Sequence, residues 1–280
     1  EAKARLRGIV HDRSQSGVTL FVEPESFVEP NNELVQLIRE EDAETARILL
    51  ALTDKVRETL PELDALVAGI GEADLIFARA GLADRMAATE PEIDEDKHVS
   101  LGEARHPLLL ARNWSAPAEP VVPPVIPVDL LLDKERPLLV VTGPNAGGKT
   151  VALKTLGLLA LMAQAGCHLP VKEGSRLPIF SRFFAVVGDD QSVAENLSTF
   201  SAFARQVREI LERVDDRSLV LLDELGAGTD PEEGAALARA ILELLEERGA
   251  LVMATTHLEP LKGFGSGHQG ARNASVEFDT

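Results

Sequence analysis

The chain has 280 residues, 45% hydrophobic and 26% charged, with 46 acidic against 28 basic residues and a formal net charge of −18. That length suits one large domain or two ordinary ones, and that charge argues against a broad non-specific nucleic-acid footprint, which needs clustered Lys and Arg to neutralise phosphates. No apolar run reaches the roughly 18 residues of a membrane span and no signal peptide opens the chain, so a cytoplasmic protein with no membrane partner is expected.

The first 22 residues begin helix-like, and two β-rich runs, Gly8 to His11 and Val18 to Val22, then flank the turn-prone stretch from Arg13 to Gly17. A β-hairpin is expected there. After Pro30, Asn31 or Asn32 is placed to cap a helix in which Leu34, Ile38, Ile48, Leu49, Leu52 and Val56 recur at helical spacing between acidic residues. It should run about 28 residues, or roughly 42 Å, until Pro61 stops it. Leu63, Leu66, Val67, Ile70, Phe77 and Met86 carry a second helical pattern, so an antiparallel helical pair is expected. Such a pair is either a helical subdomain with solvated acidic faces or a rigid lever joined to the remainder of the chain.

The acidic stretch Glu90 to Asp96 and the five prolines between Pro117 and Pro127 mark a boundary region. It places the division at residues 1–95 and 96–280. Arg105-His106-Pro107 and Trp114, the one tryptophan, fall within this region, and Trp114 reads as a packed residue rather than a base-stacking one. Cys167, the one cysteine, excludes an internal disulfide and likewise reads as packed.

Leu138 to Val141 form a short apolar run suited to a buried parallel strand, and Val151 to Ala165 have helical composition. Between them stands GPNAGGKT, that is Gly143, Pro144, Asn145, Ala146, Gly147, Gly148, Lys149 and Thr150. A glycine-rich turn that opens a helix aims backbone N–H groups at an anion, and the helix dipole and Lys149 add positive charge. The pattern is that of a P-loop, whose lysine reaches the β and γ phosphates of ATP or ADP and whose hydroxyl, here Thr150, ligates Mg2+. Val151 completes the candidate nucleotide-binding set. The bland alternative is a glycine turn that binds nothing.

Gly166 should end that helix, with a return strand at His168 to Val171 and another β-rich run from Ile179 to Val187. Gly188-Asp189-Asp190-Gln191 come next, with no role assigned to Gln191, and a helix opens in Asn196-Leu197-Ser198-Thr199-Phe200-Ser201. Leu219 to Leu222 then form a buried strand that delivers Asp223 and Glu224 at its C-terminal end, where open α/β sheets bind ligands. Asp223 suits a position on Mg2+, and Glu224 suits a base that orients water, which favours hydrolysis over transfer to another substrate. Asp230-Pro231-Glu232-Glu233 is a dense helix start, and Gly249 ends that helix. Leu251 to Thr255 form one more buried strand leading to His257, which is placed either to sense the γ-phosphate or to serve structurally. Ala274 to Phe278 read as an edge strand.

Taken together, GPNAGGKT, Gly188 to Ser192, Asn196 to Ser201, Leu221 to Asp230 and Ala254 to His257 resemble the ATPase of the MutS family, and more closely its bacterial type 2 branch. Gly8 to Asp12, Thr19 to Pro24 and Arg105 to Leu109 are similar to that branch as well, so the resemblance covers nearly the whole chain. It implies a P-loop ABC-type ATPase with a central, mostly parallel sheet, preceded by a β-hairpin and the end of a helical core and lever region. It also implies a homodimer with composite sites, in which Ser198 and Thr199 of one subunit face the P-loop, Asp223 and Glu224 of the other. Gly226 to Asp230 would lie at the dimer contact and His257 would be the switch histidine.

On this resemblance the chain is a piece of a longer protein acting on branched DNA in recombination or repair, with ribosomes as the other substrate known in the family. A mismatch-reading domain is absent from it, and the nuclease domain of type 2 relatives would lie beyond Thr280. Three other readings compete. A transport or chromosome-organising ABC ATPase should carry an LSGGQ-like signature instead of Asn196-Leu197-Ser198-Thr199-Phe200. A small-molecule kinase needs no serine from a second subunit, and a non-hydrolysing scaffold has no use for Lys149, Thr150, Asp223 and Glu224 together.

Overall fold

A computed structural model describes residues 7–15, 18–114, 124–144, 147–188 and 196–276, the side chains of 113 and 196–200 aside. The chain divides into two compact units, Glu1–Asp74 and Leu75–Thr280.

In the first unit, β1 (Gly8–Arg13) pairs antiparallel with β2 (Leu20–Pro24), from Gly8 opposite Pro24 to Arg13 opposite Leu20. Gly8 is required by close approach, since a Cβ there would lie 2.2 Å from the Glu23 carbonyl oxygen. Glu23 ties the hairpin to the helix after it: its carboxylate meets His11 Nε2 at 2.6 Å and accepts from the Asn31 amide. These two hydrogen bonds, His11 first, hold its carboxyl below the usual glutamate value.

The helix α1 (Glu25–Glu58) starts seven or eight residues earlier than a cap at Asn31 or Asn32 implies. Pro24, in extended conformation at φ −63° and ψ 144°, already makes the break, and the Asn31 side chain donates to Glu23 instead of capping. Pro30 is accommodated inside the helix close to its start, where it removes one backbone hydrogen bond.

A second helix, α2 (Leu60–Met86), begins after the single residue Thr59, whose φ of −99° and ψ of 2° lie close to helical values. One near-helical residue cannot reverse the chain. The antiparallel pair expected from the sequence is therefore not formed: α1 buries no residue, and α2 buries only Met86. Pro61 is the second residue of α2, a position that needs no backbone donor, so it does not act as a stop. Local pairs support α1 on its own, including Arg47 with Glu44, Arg57 with Asp54, and Gln36 with Glu40 at 2.8 Å.

The second unit is a mixed α/β structure with two sheets. Its smaller sheet has the order β3-β7-β4-β5, formed by β3 (Glu92–Ile93), β4 (Val99–Ala104), β5 (Val128–Leu132) and β7 (Arg176–Leu177). The acidic connector thus holds a strand. Between β4 and β5 lie α3 (Pro107–Ala111) and a 3-10 turn ending at Trp114. Trp114 does not pack in the core as expected. It is 37% exposed, and the Arg85 guanidinium lies 5.6 Å from its ring centre.

The larger sheet is β6 (Leu138–Thr142), β8 (Arg182–Val186), β9 (Ser218–Leu222), β10 (Leu251–Thr255) and β11 (Ala271–Ser275), all parallel, in the order β11-β6-β10-β9-β8. The helices α4 (Lys149–Gln164), α5 (Asn196–Arg213) and α6 (Pro231–Glu247) cross between its strands, and the short α7 (Glu259–Lys262) and α8 (Phe264–Gly267) lead to β11. Period-two alternation sorts each strand between two cores. Leu139, Val141, Leu219, Leu221, Leu251 and Met253 pack with α4 and the smaller sheet, while Leu138, Val140, Val220, Leu222, Val252 and Ala254 pack with α5 and α6.

Two strands differ from their sequence patterns. His168 to Val171 is not a strand, because Leu169 makes only an isolated antiparallel bridge to Thr89 and Pro170 has no N–H to continue it. The run from Ile179 becomes a strand only at Arg182, since the Gln164 side chain takes both the N–H and the carbonyl of Phe180. Part of the run read as an edge strand, Ala274 to Phe278, lies in β11, which is indeed an edge; Phe278 lies outside the described residues.

Leu156 of α4 is fully buried in the first core. Leu156→Ala should cost about 2–5 kcal/mol of unfolding free energy in urea; a loss below about 1 kcal/mol would contradict this packing.

Candidate functional site

Because the five strands run parallel, their C-terminal ends share one edge, and the loops leaving β6, β9 and β10 carry the charged residues. The loop after β6 turns at Gly143, φ 131°, and enters α4 through Gly148, φ 83°. The two glycines serve different needs. A Cβ on Gly143 would lie 2.5 Å from the Val276 carbonyl oxygen and one on Gly147 3.0 Å from the Val276 side chain, so the loop is pressed against the end of β11. A Cβ on Gly148 would meet nothing within 4 Å. That position is glycine for its left-handed backbone and faces open space at the N-terminus of α4, which has no side-chain cap.

Lys149 opens α4 and is buried, 4% exposed, with Nζ donating to the Gly143 carbonyl at 2.6 Å. Its charge is thereby held across the mouth of its own loop. The next residue, Thr150, donates its hydroxyl to Asp223 Oδ1 at 3.2 Å. Val151 lies in the same first turn and is 40% exposed. Pro144 accepts the N–H of Gly147 at 3.0 Å, and Asn145 and Ala146 lie outside the described residues.

Asp223 and Glu224 leave β9 together but are held differently. The backbone N–H of Asp223 continues the sheet to Val186 O at 2.8 Å, and its carboxylate accepts the hydroxyls of both Thr150 and Thr255. Glu224 has φ 49°, a left-handed conformation for a side-chain-bearing residue, and its N–H donates to Thr255 Oγ1 at 2.9 Å while its side chain is exposed. The turn after it is stapled to β10: Leu225 N–H donates to Thr255 O at 2.8 Å, and the Thr256 hydroxyl donates to Leu225 O at 3.0 Å. Gly226, φ 85°, then packs on the first turn of α6, where a Cβ on Gly234 would lie 2.3 Å from the Gly226 carbonyl oxygen. Asp230 caps α6 by accepting from the N–H groups of Glu232 and Glu233.

Lys149, Thr150, Asp223 and Glu224 are thus gathered at one sheet edge. His257 stands exposed at the same edge, two residues past β10. Ser198 and Thr199 belong to the first turn of α5, with side chains outside the described residues, as is Gln191. Thr255 and Thr256 mark only a position in the sequence; the signal that singles them out is two hydroxyls closing an otherwise apolar strand. His106 lies at the start of α3 with a buried Nδ1 that has no partner, and burial, with Lys154 and Arg112 nearby, holds its pKa below the usual histidine value. An apolar groove of about 500 Å³ between α5 and α6, lined by Phe203, Val207, Leu211, Leu237 and Leu244, contains none of the site residues.

The donor set fits a magnesium nucleotide. A hydroxyl and a carboxylate sharing a hydrogen bond are hard oxygen ligands, and the open glycine turn at a helix N-terminus with a buried lysine suits phosphate.

Comparison with known proteins identifies the family. The family described as MutS domain V matches residues 139–280. The chain is 48% identical to Endonuclease MutS2 of Bacillus cytotoxicus, over 97% of this chain and 33% of that protein. It is 48% identical to Endonuclease MutS2 of Brevibacillus brevis and 46% identical to that of Agathobacter rectalis, each over 100% of this chain and 34% of the relative. The chain therefore spans about a third of the length of these relatives.

Gly143→Ala and Gly148→Ala separate the two uses of glycine. Both carry a positive-φ cost of about 1–2 kcal/mol, but Gly143→Ala should lose about 1–3 kcal/mol more through overpacking. Equal losses in urea unfolding would contradict the contact with Val276.

Proposed function

The chain belongs to the MutS family, and from that premise we propose that it is the ATP-hydrolysing part of a protein that works as a homodimer on branched or otherwise structured DNA, in suppression of recombination and in repair. The observation that carries this reading is the pairing of the Thr150 hydroxyl with the Asp223 carboxylate at 3.2 Å, beside a lysine whose ammonium spans its own glycine loop. Many P-loop kinases lack a second acid because their nucleophile is a substrate rather than water, and Glu224 supplies that acid here.

ATP with Mg2+ supplies the phosphoanhydride to be cleaved, ADP being a product. The α4 N-terminus and Lys149 bind the phosphates, and Thr150 and Asp223 hold the metal. Glu224 orients the attacking water and accepts its proton, which its exposed side chain at the loop after β9 is free to do. His257 senses the state of the γ-phosphate from the loop after β10. Ser198 and Thr199 of the second subunit complete the cage, their place in the first turn of α5 adding a helix N-terminus.

With a net charge of −18, this chain is not the main DNA-binding surface. We assign that surface, and the endonuclease named for the relatives, to the two thirds of such proteins that this chain does not span.

Glu224→Gln should lower ATP turnover by about 10²–10⁴-fold while leaving nucleotide binding intact. It should trap a nucleotide-dependent dimer in sedimentation that weakens when Ser198→Ala is added. Turnover at the wild-type rate, or a protein that binds ATP and stays monomeric, would contradict the proposal.

A further inference from the structure

Thr255 closes β10 and is fully buried, in a strand whose other residues, Leu251, Val252, Met253 and Ala254, are all apolar. A valine would fill the same volume without a hydroxyl that must find partners. The hydroxyl has two: it donates to Asp223 Oδ1 and accepts the Glu224 N–H at 2.9 Å. One side-chain oxygen therefore touches both residues of the Asp-Glu pair.

The second contact bears on a strained residue. Glu224 at φ 49° occupies a conformation that costs about 1–2 kcal/mol for a residue with a side chain, and such residues persist only where their surroundings determine them. Thr255 supplies two of the contacts that hold this turn, beside the Thr256 hydroxyl on the Leu225 carbonyl and the Ala227 N–H on the Glu224 carbonyl. The Thr255 hydroxyl holds the Glu224 N–H and its carbonyl holds the Leu225 N–H at 2.8 Å, so β10 grips the turn on both sides of the Glu224 side chain.

We infer that Thr255 is a positioning residue that sets the orientation of the Asp223 carboxylate and the direction of Glu224 at once. The inference rests on the ATP-hydrolysing reading of the site. Through Asp223 it acts on metal binding, and through the Glu224 backbone it acts on the water-activating carboxylate. Loss of the hydroxyl removes both effects together, whereas a merely structural threonine would contribute only to stability.

The test compares wild type, Thr255→Val and Thr255→Ser, all as the full chain. It measures ATP turnover, the Mg2+ concentration needed for half-maximal nucleotide binding, nucleotide binding in EDTA, and the urea midpoint. Thr255→Val should lower kcat by roughly tenfold or more and raise the Mg2+ requirement several-fold, the loss expected for a hydrogen bond to a charged group, with EDTA binding unchanged. Thr255→Ser should restore both. Thr255→Ala serves the same comparison if the valine variant does not fold. A Thr255→Val protein with wild-type turnover and Mg2+ requirement would overturn this inference alone, as would a shift confined to the urea midpoint. Wild-type protein that bound no magnesium nucleotide would overturn the reading of the site along with it.

Discussion

Asp223 Oδ1 accepts two threonine hydroxyls, Thr150 from the first turn of α4 and Thr255 from the end of β10. Those two donors and the aspartate come from three separate stretches of sequence that only a parallel sheet brings to one edge. Because β6, β9 and β10 are neighbours in the order 6-10-9, the loop of the first, the carboxylates of the second and the threonines of the third must meet there. The apolar alternation of the strands, which fills a core on each face, fixes the register of these ends. Core packing and site geometry are thus one constraint: a slip of one residue in β9 would exchange the side chains packed in the two cores and turn Asp223 away.

The glycines obey the same geometry. Gly143 and Gly147 let the loop close against Val276 at the end of β11, and Gly226 and Gly234 let the turn after Glu224 close against α6. Each removes a side chain where two backbones approach. Gly148 differs, since its Cβ direction is open and only its φ demands glycine. This leaves the N-terminus of α4 accessible while Gly143 and Gly147 are held against Val276.

Much of this is legible in the sequence, and the reason is local. A short β-branched run, a glycine turn and a leucine-rich helix announce one another by composition, as do the four apolar residues before Asp223 and the capping signal Asp230-Pro231. The misses share a different cause. Apolar spacing, the basis for pairing α1 with α2, shows that a face is apolar and says nothing of what covers it; Thr59 keeps nearly helical angles, so the chain does not fold back. Pro30 and Pro61 read as breaks, but Pro61 is the second residue of α2, where no backbone donor is needed, and Pro30 is carried inside α1 at the loss of one backbone hydrogen bond. The smaller sheet escapes a sequence reading because β3 and β7 are two residues long and pair across more than 80 positions. The role of Thr255 is invisible for the same reason, since its hydroxyl finds partners 31 and 32 residues away.

Equilibrium binding of magnesium ATP to the wild-type chain and to Lys149→Ala, with unfolding of both followed in urea, decides whether the β6–α4 loop is the phosphate site. Removing the ammonium should weaken binding by roughly 10–100-fold, as for a lost hydrogen bond to a charged group, while the nucleotide-free fold is retained. Equal affinity of the two proteins would place the nucleotide elsewhere and contradict that assignment.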